Sequence, residues 1–347
     1  MAHLLLAGDI GGTKTSLRLL QSQPNSDQLL TLGEATYSSQ AFPDLIPLVQ
    51  IFLQRQPLTS IGLTISGACF GIAGPVLDNC CELTNLNWFL QGDILAATLG
   101  IPQVTLINDF TAVAYGLGDL TEQDLFWLQS VPAQPMAPMA LIGAGTGLGQ
   151  GFLIPQANGG YQVFASEGGH ADFPARTPLE FELVQDIRRR YQLERVSIER
   201  IVSGLGIGSI YYFLREKYPH LEGPALKQAW QAGEFQDNIP ALVARVAQLA
   251  LENNNDLARQ AMTLFIEAYG AEAGNLSLKL LPYGGLYIAG GIAPKILPLL
   301  TSGRFMQVFL AKGRMQGLLE QIPVAIVLNE QVGLMGAGRR AAQLLAD

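Results

Sequence analysis

Cysteine patterns that build disulfides or hold metal are missing from this sequence. It has three cysteines in 347 residues, Cys69, Cys80 and Cys81, and none falls at zinc-site spacing. Adjacent Cys80 and Cys81 could bridge only with strain, so all three read as reduced thiols, in keeping with a cytoplasmic protein. Basic charge is scarce as well: 21 Lys and Arg stand against 29 Asp and Glu, a net charge of −8. That balance argues against nucleic acid and against an anionic membrane surface, both of which select basic patches. Nucleotide stays allowed, because backbone dipoles and a divalent cation can handle phosphates. There is no Walker A sequence and no glycine fingerprint of the dinucleotide-binding kind. No charged residue occurs from 125 to 166, yet Pro132, Pro135, Pro138 and Pro155 interrupt that span and exclude a bilayer-length helix. The opening MAHLLLAGDIGG has no basic segment, and its apolar run stops at Asp9, unlike a secretory signal. No membrane association is expected.

Apolar residues and glycine, by contrast, are plentiful. With 49% hydrophobic residues and 38 glycines, the chain can bury the cores of two domains. Residues 4–20 predict a strand, a glycine turn and a second strand, and residues 139–154 repeat that plan. Each copy is expected to open the sheet of one domain. Alternation from Ile61 to Val76 predicts a further strand, with residues 78–85 as its hairpin partner. A helix is expected over 109–118, following a strand at 104–108. Thr177 and Pro178 make an N-cap and first-turn pair for a helix through Tyr191, with Arg188, Arg189 and Arg190 on its solvated face. Periodicity predicts helices over 239–252 and 256–281, the second long enough to be a domain spine. Residues 285–297 read as strand, glycine turn and helix. A last strand leads through Asn329 to a helix beginning near Val332. The alternation is α/β throughout.

Three glycine turns and two polar segments carry the chemistry. In Gly8-Asp9-Ile10-Gly11-Gly12-Thr13-Lys14, paired glycines let main-chain N–H groups turn onto an anion. Thr13 and Lys14 add a hydroxyl and a cation, and Asp9 can hold Mg²⁺ through water. Seen alone, such a pair also makes an ordinary hairpin. Gly145-Thr146-Gly147 has the same equipment in the second half, so the two turns can hold a nucleotide tail. Gly290 and Gly291, after an apolar strand, let a flat base approach the backbone. Asp109 stands where a strand ends and a helix begins. It is placed to cap that helix, to act as a general base at a sheet's carboxyl end, or both. Glu167-Gly168-Gly169-His170 sets a carboxylate and an imidazole three residues apart, a loop suited to vicinal hydroxyls. No further His or Cys lies at ligand spacing, which disfavours zinc.

Taken together, DIGGTK, LTNLNW, INDFTA, GAGTGLG, SEGGH, ERIVSGLG and IAGGIAPKIL resemble, in identity and order, the motifs of bacterial glucokinases of the hexokinase superfamily. The resemblance runs from Gly8 to the C-terminal helix. It implies two actin-like (ribonuclease H-like) α/β domains around a hinged cleft, the smaller comprising 1–118 plus 329–347 and the larger 119–328. It implies ATP, with Mg²⁺, as donor and glucose as acceptor, phosphorylated at the 6-hydroxyl with Asp109 as general base. Asn85, Asn108, Glu167, His170 and Glu199 are then the sugar-binding residues. Asn87 competes with Asn85, since both amides lie in one segment. The related ROK kinases carry a Cys-rich zinc motif that this chain lacks, although Lys14 matches them. A homodimer is also implied. The alternatives are a kinase for another hexose and a non-catalytic sugar sensor. A repressor would need a basic DNA-binding module, for which a first strand at Leu4 leaves no room.

Overall fold

A computed structural model describes residues 2–23, 26–56, 64–83, 85–157, 159–235 and 238–345. Its contacts divide the chain into two compact units, 1–123 with 329–347, and 124–328.

The first unit is built on five strands and a small ribbon: β1 (Leu4–Ile10), β2 (Lys14–Gln23), β3 (Ser26–Ser38), β4 (Ile65–Ile72), β5 (Cys80–Leu83), β6 (Trp88–Gln91) and β7 (Val104–Asn108). The sheet order is β3-β2-β1-β4-β7, with β5 and β6 forming the ribbon. β1, β2 and β3 make an antiparallel meander, whereas β4 and β7 run parallel to β1. Parallel pairing requires crossovers, here through the helices Leu45–Gln54 and Gly92–Leu99. β1 is apolar on both sides because both of its faces are covered. Leu4 and Leu6 join the core beneath those crossover helices. Leu5 and Ala7 face Leu334, Ala337 and Ala341 of the helix Val332–Gln343. That helix also packs on the helix Asp109–Gly116, where a side chain on Gly336 would overlap the Ala112 carbonyl.

The second unit has β8 (Leu125–Gln129), β9 (Met139–Ala144), β10 (Leu148–Pro155), β11 (Tyr161–Ser166), β12 (Gly285–Ala289) and β13 (Val324–Val327). Its order is β11-β10-β9-β12-β13-β8. β9, β10 and β11 are an antiparallel meander and β12 and β13 run parallel to β9. This is the layout of the first sheet with β8 added antiparallel at the edge, so the internal repeat seen in sequence is a repeat of topology. The 25-residue helix Asp256–Leu280 is buried over most of its length against this core. Its Tyr269 hydroxyl accepts the Ala144 N–H at 3.1 Å, tying the helix to the end of β9.

Helix starts follow local chemistry. Thr177 Oγ1 accepts the Glu180 N–H, Ser203 Oγ that of Gly206, and Asn255 Oδ1 that of Ala258, each satisfying an otherwise unpaired donor. No described helix is long and apolar enough to cross a membrane.

Two expectations change. The Ile61–Val76 strand begins at Ile65, Ile61–Leu63 lying outside the described residues, and it ends at Ile72. Its expected hairpin partner pairs elsewhere, β5 with β6. Pro75 cannot extend the strand ladder, and left-handed Asp78 and Asn79 reverse the chain early. Asn79 then serves the edge of β7, donating to the Val104 carbonyl and accepting the Leu106 N–H. The three arginines are also not uniformly solvated. Arg190 is only 26% exposed, pairing with buried Asp186 and with Glu216.

Candidate active site

In the first unit the parallel strands finish in register, Ile10 beside Ile72 and Ile72 beside Asn108. That common carboxyl edge is where open α/β sheets place ligands. Asp9, one residue back from the edge of β1, is partly buried, and burial raises its carboxyl above 3.8 while Lys14 pulls it down. The turn after β1 is closed by the Gly11 N–H donating to the Lys14 carbonyl at 3.0 Å. Ser39 Oγ braces it by donating to the Gly11 carbonyl at 2.7 Å. Thr13 and Lys14 are left exposed, with Gly12 half-buried beside them. Gly8 packs against Phe70 and Leu17, and Ile10 is wholly in the core, so neither presents a side chain or open face there.

Asp109 opens the helix after β7, but Asn108 caps it. Asn108 Oδ1 accepts from Phe110 N–H and Thr111 N–H, and its Nδ2 donates to the Gly74 carbonyl. The extended chain ends at Asn108, one residue earlier than capping by Asp109 would need, which puts Asp109 at the first helical position. One carboxylate oxygen of Asp109 accepts the Phe110 N–H at 2.8 Å. Burial is the main reason its carboxyl rises to about 6, with the Asp9 charge adding to the rise and the Phe110 and Asn108 hydrogen bonds opposing it. Asn85 lies in the turn between β5 and β6, its side chain 3.6 Å from the space above Gly12. It borders a cavity of about 450 Å³ shared with Gly74, Pro75 and Cys81. Asn87, its competitor, is exposed and holds the left-handed conformation of that turn (φ 54°).

In the second unit the Gly145–Gly147 turn joins β9 to β10, the Gly145 N–H donating to the Gly147 carbonyl at 2.8 Å. Glu199 lies against this turn rather than apart from it. Its Oε2 accepts the Leu148 N–H at 2.9 Å, and a side chain on Gly147 would strike it. Glu167 and His170 stand exposed on the loop after β11, with His170 Nε2 3.8 Å from Glu167 Oε2. Arg195 donates to the His170 carbonyl at 2.8 Å.

Gly290 has φ 86°, open to glycine alone without strain, and packs on the Ala144 carbonyl. Gly145 and Gly291 have nothing above them. They line a largely apolar slot of about 450 Å³ with Thr146, Gly204, Val243 and Ala244. One side of it is a helical stripe at Pro240, Val243, Ala244 and Ala247. That stripe was missed in sequence, since i, i+3, i+4, i+7 spacing reads equally as core.

Among the described residues no cluster of three or more His, Cys, Asp or Glu could hold a metal alone. The donor set fits a magnesium ion carried on phosphates, which needs only one or two protein carboxylates. Asp9 is the carboxylate beside the glycine turn after β1, and it would hold such an ion through water.

A doubled sheet of this layout is the architecture of the actin-like sugar kinases. A glucokinase from an Antarctic psychrotroph matches it with TM-score 0.79 at 26% identity over 99% of both chains. A ROK family glucokinase from Streptomyces griseus, solved with glucose and AMPPNP, shares the fold with TM-score 0.60 at 18% identity over 98% of this chain and 99% of that one. The glucokinase family model matches residues 6–344, and the chain belongs to that family. A Synechocystis sp. glucokinase is 56% identical over 347 residues, covering 97% of this chain and 98% of its own. One from Pectobacterium atrosepticum is 33% identical over 350 residues, covering 100% and 99%.

Proposed function

We propose that this enzyme transfers the γ-phosphoryl group of ATP to the 6-hydroxyl of glucose, with Asp109 as general base. The observation that carries this reading is Asp109 itself, a strand-end carboxylate raised to about 6. A base with a pKa near the working pH is ionised at rest yet still takes a proton readily. Asp109 accepts the 6-hydroxyl proton as that oxygen bonds to the γ-phosphorus, and the bond to the β–γ bridging oxygen breaks to release ADP. Asn85, Asn108, Glu167 and His170 hold the sugar hydroxyls. Glu199, bonded to the N–H that follows the glycine turn, reaches the sugar with its other oxygen.

The N–H groups of Gly12 and Thr13 and those of Thr146 and Gly147 receive the donor phosphates, the Gly11 and Gly145 N–H groups being used to close their turns, and the apolar slot beside Gly291 takes the base. Lys14 adds positive charge at the first turn. Magnesium, when bound, neutralises charge on the transferred group. Because phosphoryl transfer passes through a loose transition state, positioning and charge neutralisation supply most of the acceleration. A homodimeric, cytoplasmic enzyme belongs to the same reading, supported by family membership. A coupled assay across hexoses and phosphoryl donors tests the whole. Turnover confined to another hexose, or to polyphosphate, overturns it.

A further inference from the structure

Buried polar side chains that neither cap a helix nor touch the proposed substrates are few, and two of them meet. Gln150 and Glu272 are each 3% exposed. Gln150 lies on β10 between Ile142 of β9 and Ser166 of β11. Desolvating an amide there is unfavourable unless it is hydrogen-bonded. Its Nε2 donates to Glu272 Oε1 at 2.9 Å, and the second Glu272 oxygen accepts from Asn275 Nδ2 at 3.1 Å. Asn275 Oδ1 in turn accepts from Lys312 Nζ at 2.6 Å, and Lys312 also donates to the Ala271 carbonyl. The buried carboxylate is therefore partnered on both oxygens, as a buried charge must be.

The other end of Gln150 faces the loop that follows β11. A Cβ on Gly168 would overlap Gln150 Oε1, and one on Gly169 would overlap the Leu148 carbonyl. The loop thus lies flush on the first residues of β10 at Gly168 and Gly169, the two residues between Glu167 and His170. Gln150 is its floor, and the long helix, through Glu272, fixes how high that floor stands.

We propose that Gln150 and Glu272 form a buried positioning pair that sets the placement of Glu167 and His170, and through it the affinity for hexose. Neither residue touches the sugar. The proposal rests on the reading of this loop as sugar-binding. A pair that only stabilised the fold would affect both substrates alike, whereas a floor under one loop acts on one substrate.

The experiment compares Gln150→Leu, Gln150→Glu and the exchanged pair Gln150→Glu with Glu272→Gln, measuring glucose and ATP KM together with hydrogen exchange of the 166–172 segment. Gln150→Leu should raise glucose KM about tenfold with ATP KM within about twofold, the scale of one lost buried hydrogen bond. Exchange in the segment should quicken in the absence of ligand. Gln150→Glu, which sets two carboxylates face to face, should be worse. The exchanged pair restores a donor and an acceptor in reverse and should recover glucose KM to within about threefold. Unchanged loop exchange in Gln150→Leu, equal rises in both KM values, or no recovery in the exchanged pair overturns the positioning role. Faster loop exchange with unchanged glucose KM, in both Gln150→Leu and His170→Ala, overturns instead the sugar-binding reading beneath it.

Discussion

Asn108 caps the helix that Asp109 begins. The N–H of Phe110 lies 2.9 Å from Asn108 Oδ1 and 2.8 Å from Asp109 Oδ1, so one donor is shared by two side chains. With the cap supplied by its neighbour, Asp109 is not needed to begin the helix, and its carboxylate is oriented by the Phe110 N–H and the Asn108 side chain. A residue that could have been consumed in ending a strand is left available for chemistry.

Asp109→Ala should therefore abolish turnover without abolishing binding. Loss of a general base lowers kcat about 10²–10⁴-fold, while glucose affinity by calorimetry should stay near the wild-type value because Asn108 keeps the helix in place. Near-normal turnover would leave Asp109 with no role beyond the helix's first turn.

The raised carboxyl also fixes a pH limb. Only ionised Asp109 can accept a proton, so kcat/KM for glucose should fall tenfold per pH unit below about 6, the value set chiefly by burial. A flat profile down to pH about 5 would show that another group takes the proton.

Stability should move the opposite way to activity. Because burial raises the folded-state pKa to about 6 from 3.8, folding binds a proton there, and ionising Asp109 above that pH destabilises the fold. Asp109→Asn removes the charge and should be about 1–2 kcal/mol more stable than wild type near pH 8, part of the full linkage value being lost to partial exposure. The difference should shrink as pH falls below about 6 and vanish only near pH about 3, below the unfolded-state value of 3.8, where the wild-type carboxyl is protonated in both states. Denaturant titrations at the two pH values measure it.

Binding of the two substrates should separate cleanly. His170→Ala should raise glucose KM well above tenfold while moving ATP KM about twofold or less, since His170 stands on the exposed loop after β11. Val243→Trp, which fills the slot beside Gly145 and Gly291, should do the reverse. A rise in ATP KM alone for His170→Ala would place that loop on the other ligand.

What could be read from sequence was what local chemistry decides. Thr177-Pro178 begins a helix at Pro178, and the glycine turns after Ile10 and Ala144 lie between strands, because caps and tight turns depend on neighbours in the chain. Asp109 was placed correctly at the strand end, but its capping role belonged to Asn108, a one-residue difference set by how far β7 stays paired. The partner of β5 was misread because register depends on where Pro75 and Asn79 turn the chain. The apolar slot and the Gln150–Glu272 pair were invisible. Both join residues more than 90 positions apart, and nothing local distinguishes a slot-lining Val243 or a hydrogen-bonded buried Gln150 from ordinary core.

The helix Val332–Gln343 belongs with β1 and not with the strands made just before it. Leu334, Ala337 and Ala341 complete the core over Leu5 and Ala7, so the whole of 124–328 is synthesised before the first unit can close. The second unit, continuous in the chain, is free to fold while the first still waits on the ribosome with one face of its sheet uncovered. Domains generally fold as units during synthesis, so the order of assembly here runs against the order of translation. The first strand made is the last to be sealed, and a chain stalled before Val332 carries a finished second unit and an exposed apolar sheet face, the form on which chaperones and proteases act.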